Sequence, residues 1–254
     1  MEHLKVTSNK GDLNVSWHNK DKLAWYATQQ GGCYFADLKD INWKSPDKFI
    51  PIHDANFHNW HQEQWRQREE MSVFDIPDGA KIIDIGSGAS VIDLLLYSYI
   101  PNSIFYLIDK EDEWPNSLHP LDVVYTEYHP FYHSWNTVLD AITTSKFDSD
   151  RFNFLSPDNN FPEDVDLIMS SFSYCFHYPK DQYWEKILNS LKKGGNLFLD
   201  VRLLPDRNII EEISEDLKSK PTMIKLPTLS NYLNSPPNVE LDTVTYRCLW
   251  KKNT

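Results

Sequence analysis

The chain has 254 residues, of which 41% are hydrophobic and 14% aromatic, enough to bury a substantial core and too many for a disordered polymer. Its formal net charge is −12, and the short KSK and KK groups make no basic stripe, so the charge balance argues against a phosphate backbone and predicts no nucleic-acid partner. No apolar run reaches the roughly 18 residues of a membrane span, the N-terminus lacks the apolar core of a signal peptide, and Cys33, Cys175 and Cys248 suit neither a zinc spacing nor a disulfide framework. These features predict a cytoplasmic protein with no membrane partner.

Residues 1–77 are rich in Trp, His and Gln and carry turn signals such as QQGGC and KSPD. Within them HDANFHNWHQEQWRQREEM (53–71) reads as a helix that places His58, His61 and Trp65 on one face. Two histidines without a third ligand at fixed spacing do not make a zinc site, and no metal is predicted. This segment is expected to be a helical cap over the substrate. Its RQREE run reads as a solvated face with ion pairs between successive turns.

From residue 80 short β-branched or aromatic runs alternate with helical ones, the pattern of a parallel sheet with crossovers. Strands are predicted at KIIDI (81–85), IFYLID (104–109), RFNFL (151–155), DLIMS (166–170) and NLFLDV (196–201), with helices over 89–99, 133–145, 181–192 and 206–219. The helix at 181 is expected to stop at LKKGG, where cations and glycine end it. The PDNNFPED connection is too short for a full helix, and the stretch 111–150 is longer than one ordinary crossover. After residue 220, TMIKL and DTVTYRCLW read as two more strands, closing the parallel set with a hairpin-like pair.

The turn DIGSGAS carries the ligand argument. Gly86 can take positive φ, and Gly88 has no Cβ to obstruct a close approach. A phosphate-binding loop would need Gly-Lys-Ser/Thr at its end, which is missing. A dinucleotide turn would need a third glycine where Val91 stands, and a helix start free of acids for its pyrophosphate. Asp84, two residues before Gly86, would repel a pyrophosphate but suits a ligand whose near end carries an ammonium group.

These residues resemble the class I S-adenosylmethionine-dependent methyltransferases. IIDIGSGAS is similar to the family's first motif, with Ser90 in place of its usual third glycine, and Asp109 in FYLIDKED corresponds to the acid that closes the second strand. FLSPDNN places Asp158 and Asn159 where the family meets adenine, and DVDLIMSSFSYCFHYP is similar to the segment that reaches the transferred methyl. LKKGGNLFLDV resembles the glycine pair before the fifth strand. The resemblance covers about residues 78–252 and implies a Rossmann-like, doubly wound α/β sheet of seven strands, mostly parallel with an antiparallel C-terminal strand. It implies S-adenosyl-L-methionine as cofactor, held by Asp84, Gly86, Ser87, Gly88, Asp109, Asp158, Asn159, Ser170, Ser171 and Phe172. Residues 78–254 are then the cofactor-binding methyltransferase domain. Arg68 is a candidate for the cofactor's carboxylate, since a guanidinium fork suits that shape.

Transfer to a neutral hydroxyl calls for a base near the oxygen. His177 is the candidate base and Tyr174 a second catalytic candidate, both in the SSFSYCFHYP run. A structural place for His177 against Tyr178 and Trp184 stays open, and Cys175 reads as a small buried filler. That run also has a loose similarity to bacterial sugar O-methyltransferases. It implies a polar small-molecule acceptor methylated on oxygen, for which the many Trp, Tyr, His and Asn side chains are suited. Transfer to a carboxylate, phosphoryl oxygen or amine, and a non-catalytic S-adenosylmethionine-binding role, are the alternatives. The oligomeric state is not legible.

Overall fold

The computed structural model describes residues 2–17, 46–73, 75–109, 135–175, 178–226 and 244–254. The alternating pattern from residue 80 builds a seven-stranded sheet. Its strands are β3 (Lys81–Ile85), β4 (Ile104–Ile108), β5 (Phe152–Leu155), β6 (Val165–Ser170), β7 (Leu191–Arg202), β8 (Thr222–Lys225) and β9 (Thr245–Lys251). Their order across the sheet is β5-β4-β3-β6-β7-β9-β8. The pairs β4/β5, β3/β4, β3/β6 and β6/β7 are parallel, whereas β9 runs antiparallel to β7 and β8 antiparallel to β9. The predicted closure by two antiparallel C-terminal strands is therefore present. Strand order reverses between β3 and β6, so the crevice for a ligand lies at their carboxyl ends.

Period-two alternation divides the core into two layers. Ile82 and Phe198 face one layer together with α2 (Val91–Tyr99) and α3 (Trp135–Thr144). Ile83, Ile85, Leu197 and Leu199 face the other, with α4 (Trp184–Ser190) and α5 (Ile209–Leu217). In α5, Ile209, Ile213 and Leu217 recur at helical spacing on the buried side, and Asn208 Oδ1 caps the helix by accepting from Glu211 N–H at 3.3 Å.

Two predicted boundaries move. The helix expected over 181–192 is instead a 3-10 turn, Lys180–Gln182, followed by α4, which ends at Ser190. Leu191 is buried and already pairs with Val165, so β7 starts there rather than at residue 196. The two glycines then serve an irregular register within the strand, not a helix stop. A Cβ on Gly195 would lie 3.0 Å from the carbonyl oxygens of both Lys192 and Val165.

The N-terminal layer also differs from a purely helical cap. It contains α1 (Pro46–Glu70), which starts earlier than the helix predicted over 53–71, and an antiparallel hairpin of β1 (Glu2–Ser8) and β2 (Gly11–Trp17). The alternation Leu4, Val6, Leu13, Val15 around an Asn9-Lys10 turn is the sequence signal for it, and all four side chains are buried. They join the same core as Leu94, Leu95 and Leu96 of α2 and Trp65 of α1. Gln62 fixes α1 to the hairpin by a reciprocal amide pair with Thr7, 2.7 Å and 2.8 Å. No helix among the described residues is long and apolar enough to cross a membrane.

Candidate functional site

The glycine turn after β3 is lashed to the end of β4. Gly86 N–H donates to Ile108 O at 2.7 Å, and Gly88 N–H donates to Asp109 Oδ2 at 2.7 Å. The acid closing β4 thus meets the glycine turn directly. Gly86 has φ 75°, and a Cβ there would lie 2.0 Å from Ser173 Oγ. The close approach that requires glycine at this position is made by the protein's own Ser173. Ser90, in the position of the resembled family's third glycine, adopts φ 56°, a left-handed conformation that costs a residue with a Cβ roughly 1–2 kcal/mol.

Ser170, Ser171 and Phe172 lead out of β6 beside this turn. Ser170 is fully buried: its hydroxyl donates to Ile85 O at 2.6 Å and accepts from Tyr174 N–H at 2.9 Å, locking the strand end to the turn. The Ser171 hydroxyl accepts from Arg68, which reaches it from α1. Phe172 has φ 54° and lies between the Trp60 ring, centroids 5.5 Å apart, and the Arg247 guanidinium at 5.7 Å. A bulky residue held left-handed stores strain, a feature that clusters at functional sites.

Arg68 is 1% exposed. Its Nη1 donates to Gln64 O at 3.0 Å, its plane lies 5.0 Å from the Phe198 ring, and its Nε has no partner among the described residues. Burial, and then the charge of the nearby Arg247, pulls its pKa down to about 9. His61, buried on the same helix, is pushed by burial and then by Arg68 to about 3, so it is neutral. Beyond Arg68, Arg247 forms a fully buried fork with Asp200, 2.8 Å at both contacts, and donates to Gln67 Oε1 at 2.8 Å. Asp84 sits under the glycine turn, where burial raises its carboxyl to about 7. Asp93 of α2 is also fully buried, and its own carboxyl is raised by burial and then by Asp84.

Asp158 and Asn159 stand in an exposed turn after β5. Asn159 Oδ1 accepts from Ser156 N–H at 2.7 Å, and Lys186 Nζ donates to the carbonyls of Pro157 and Asn159, both at 2.9 Å. Burial raises the Tyr183 phenol, and the charges of Tyr178, Asp109 and Asp158 raise it further. The structure therefore gathers Asp84, Gly86, Gly88, Asp109, Ser171 and Arg68 at one edge, while Asp158 stands in the exposed turn after β5. Ser87 lies in the same turn, and its hydroxyl is buried without a partner among the described residues.

The catalytic candidates fare differently. Tyr174 is fully buried, its hydroxyl donates to Lys180 O, and burial raises its phenol far above the usual range. That geometry is a structural anchor and offers no hydroxyl to a substrate. His177 lies outside the described residues. Cys175 is buried with its thiol pushed up to about 12, which fits a filler. Arg66 is exposed and ion-paired with Glu63 and Glu70 on its own helix, as the RQREE reading expects. Sequence reasoning missed Asp93, Asp200 and Arg247. Their only signal is a charge inside an apolar run, as in VIDLLL, LFLDV and YRCLW.

No family model and no curated protein matches the chain. Solved structures with a similar fold include an rRNA methylase from Streptococcus thermophilus, 12% identical, covering 70% of this chain and 90% of that one, with a TM-score of 0.43. Another is TYW2 from M. jannaschii in complex with AdoMet, at 13% identity, 73% and 74% coverage and a TM-score of 0.48. A third is fibrillarin from Methanococcus jannaschii, a pre-rRNA processing protein, at 16% identity, 70% and 69% coverage and a TM-score of 0.39. These neighbours overturn the prediction that nucleic acid is excluded: an rRNA methylase and a pre-rRNA processing protein stand among them, so net charge does not settle the partner. The strand order, the antiparallel β9 and the glycine turn at the switch point make this chain a Rossmann-like methyltransferase fold.

Proposed function

We propose that the chain is an S-adenosyl-L-methionine-dependent methyltransferase acting on an oxygen of a polar small molecule such as a sugar. The observation that supports the cofactor most directly is the convergence at the β3 edge. The glycine turn is held by Asp109, Asp84 lies beneath it, and Arg68 arrives from α1 with a buried Nε that has no partner among the described residues. An acid and a guanidinium at one edge fit the two charges of an amino-acid end, while Asp109 and Asp158 fit hydroxyls and an exocyclic amine.

The bound cofactor supplies an activated methyl on a sulfonium. In this reading the chain's own residues do the rest. The turn and Asp109 orient the nucleoside, and Arg68 and Asp84 fix the methionine end. The Ser171–Phe172 segment, held by Arg68 and packed on Trp60, lines the approach to the methyl. Holding the acceptor in line accounts for much of the rate, and His177 takes the hydroxyl proton.

Calorimetric titration with S-adenosylhomocysteine, S-adenosylmethionine and NADH tests the cofactor. Micromolar binding of the first two and none of the third is expected, and no binding of either sulfur ligand would end this reading. The acceptor is tested by product formation from sugars, nucleotide-sugars and RNA fragments, comparing the full chain with its His177→Ala variant. Full activity without His177 would favour a carboxylate or phosphoryl acceptor, which needs no base.

A further inference from the structure

Arg247 stands on β9, two strands away from β6 in the sheet, and is 0% exposed. A buried ion pair is weak evidence for stability, since apolar side chains of similar volume pack as well or better. The fork with Asp200 therefore needs another account. Its two bonds fix the guanidinium plane, and Nη1 is left to donate to Gln67 Oε1 on α1 at 2.8 Å. Gln67 is itself held, its Nε2 donating to Glu63 Oε1 at 2.6 Å. The same guanidinium lies 5.7 Å from the Phe172 ring. Arg68, the next residue of α1, donates to Ser171. Two consecutive residues of α1 are thus joined to two consecutive residues of the segment leaving β6, one arginine serving each junction. Trp60, two turns earlier on the same face of α1, packs on Phe172 as well. Phe172 is left-handed, and a bulky residue stays so only where its surroundings over-determine it. Side chains from α1 and β9 supply that constraint.

We propose that Arg247 is a positioning residue for the methyl-transfer segment. It fixes α1 through Gln67 and the Phe172 ring by direct contact, so that Arg68 and Phe172 hold one arrangement beside the glycine turn. The proposal rests on the reading of Arg68 and the Ser171–Phe172 segment as parts of the cofactor and methyl site. Apolar burial is non-directional and can fill the space between β7, β9 and α1 without orienting any of them. A guanidinium clamped by a carboxylate presents its remaining donor in one direction, and that donor meets α1. The charge is therefore kept for orientation, and α1 and the segment 171–175 should loosen together when it is removed.

The test compares the full native chain with two variants, by amide hydrogen exchange read by mass spectrometry and by calorimetric titration with S-adenosylhomocysteine. Arg247→Met with Asp200→Leu replaces the pair by apolar side chains. Gln67→Met leaves the pair whole and cuts only its bond to α1, so the question stays answerable if the double variant fails to fold. In both, amides of residues 60–71 and 171–175 should exchange about ten- to a hundredfold faster, the loss of a charge-assisted hydrogen bond, while those of α5 keep native rates. Affinity for S-adenosylhomocysteine should fall about tenfold, because Arg68 is no longer held in place beforehand. Native exchange rates at 60–71 and 171–175 overturn the proposal. So does acceleration spread equally over α5, or local loosening with unchanged affinity, since either makes Arg247 a structural residue only. A native chain that binds no S-adenosylhomocysteine overturns the cofactor reading instead, and the exchange pattern alone then decides whether Arg247 orients α1 and the segment.

Discussion

The two faces of the sheet are built on different terms. The face toward α4 and α5 is apolar throughout: Ile83, Ile85, Leu197, Leu199, Cys248 and Trp250. Its charged pairs have their carboxylates at the rim, where the buried Lys180 meets Glu212 at 3.3 Å and Asp216 at 3.0 Å, and Arg207 meets Asp181 at 2.9 Å. Those carboxylates are a third or more exposed. The face toward α1 and α2 alternates Ile82 with Asp84 and Phe198 with Asp200, and it buries Arg247, Arg68 and Asp93. Two arginines there stand among Asp200, Asp84 and Asp93, and burial raises the carboxyls of the last two. Apolar packing is enough to hold a helix against a sheet, so the charges buried on the second face answer to something other than that packing.

The largest effect should come from breaking the buried balance. Arg247→Ala leaves Asp200 uncompensated and is expected to cost about 3–5 kcal/mol in urea unfolding. Replacing both partners, Arg247→Met with Asp200→Leu, should recover most of that loss, and failure to recover it would show that the pair is needed for more than charge balance. Asp109→Ala should cost cofactor affinity about 1.5–3 kcal/mol, read by titration, because a charge-assisted hydrogen-bond set is lost. Unchanged affinity would remove Asp109 from the ribose.

Smaller effects belong to the rim and the turn. Lys180→Met should cost about 1 kcal/mol or less, since its partners are partly solvated. A loss equal to that of Arg247→Ala would erase the contrast between the faces. Ser90→Gly should relieve roughly 1–2 kcal/mol of left-handed strain and give back about 0.5–1 kcal/mol in chain entropy. The balance is a gain of about 0.5 kcal/mol, a rise of roughly 1–2 °C in Tm.

What the sequence conveyed follows the same division. KIIDI and the glycines after it are legible because a β-branched run and a positive-φ turn leave no other reading. The strands that carry the apolar face are legible as short apolar runs. The polar face is not: Arg247 within TYRCLW looks like an outward residue of an alternating strand, and only tertiary pairing with Asp200 turns it inward. Asp93 reads as a favourable helix-start acid until its burial is known. The helix end at Ser190 was misplaced because LKKGG is equally a helix stop and a bulged strand start. The hairpin went unread because its alternation is short and interrupted by polar residues, although Leu4, Val6, Leu13 and Val15 spell it out.

The hairpin also has a bearing on biosynthesis. Ser16 N–H is held by Ser145 Oγ at 2.9 Å, 129 residues further along the chain, and the apolar side of β1 and β2 is covered by helices that are translated later. At about 5–20 residues per second on the ribosome, the hairpin waits on the order of ten seconds for its cover. A lone two-stranded ribbon is at best marginally stable in water. The hairpin is therefore made well before the helices that cover it, and its four apolar side chains pass that interval in reach of chaperones and neighbouring nascent chains.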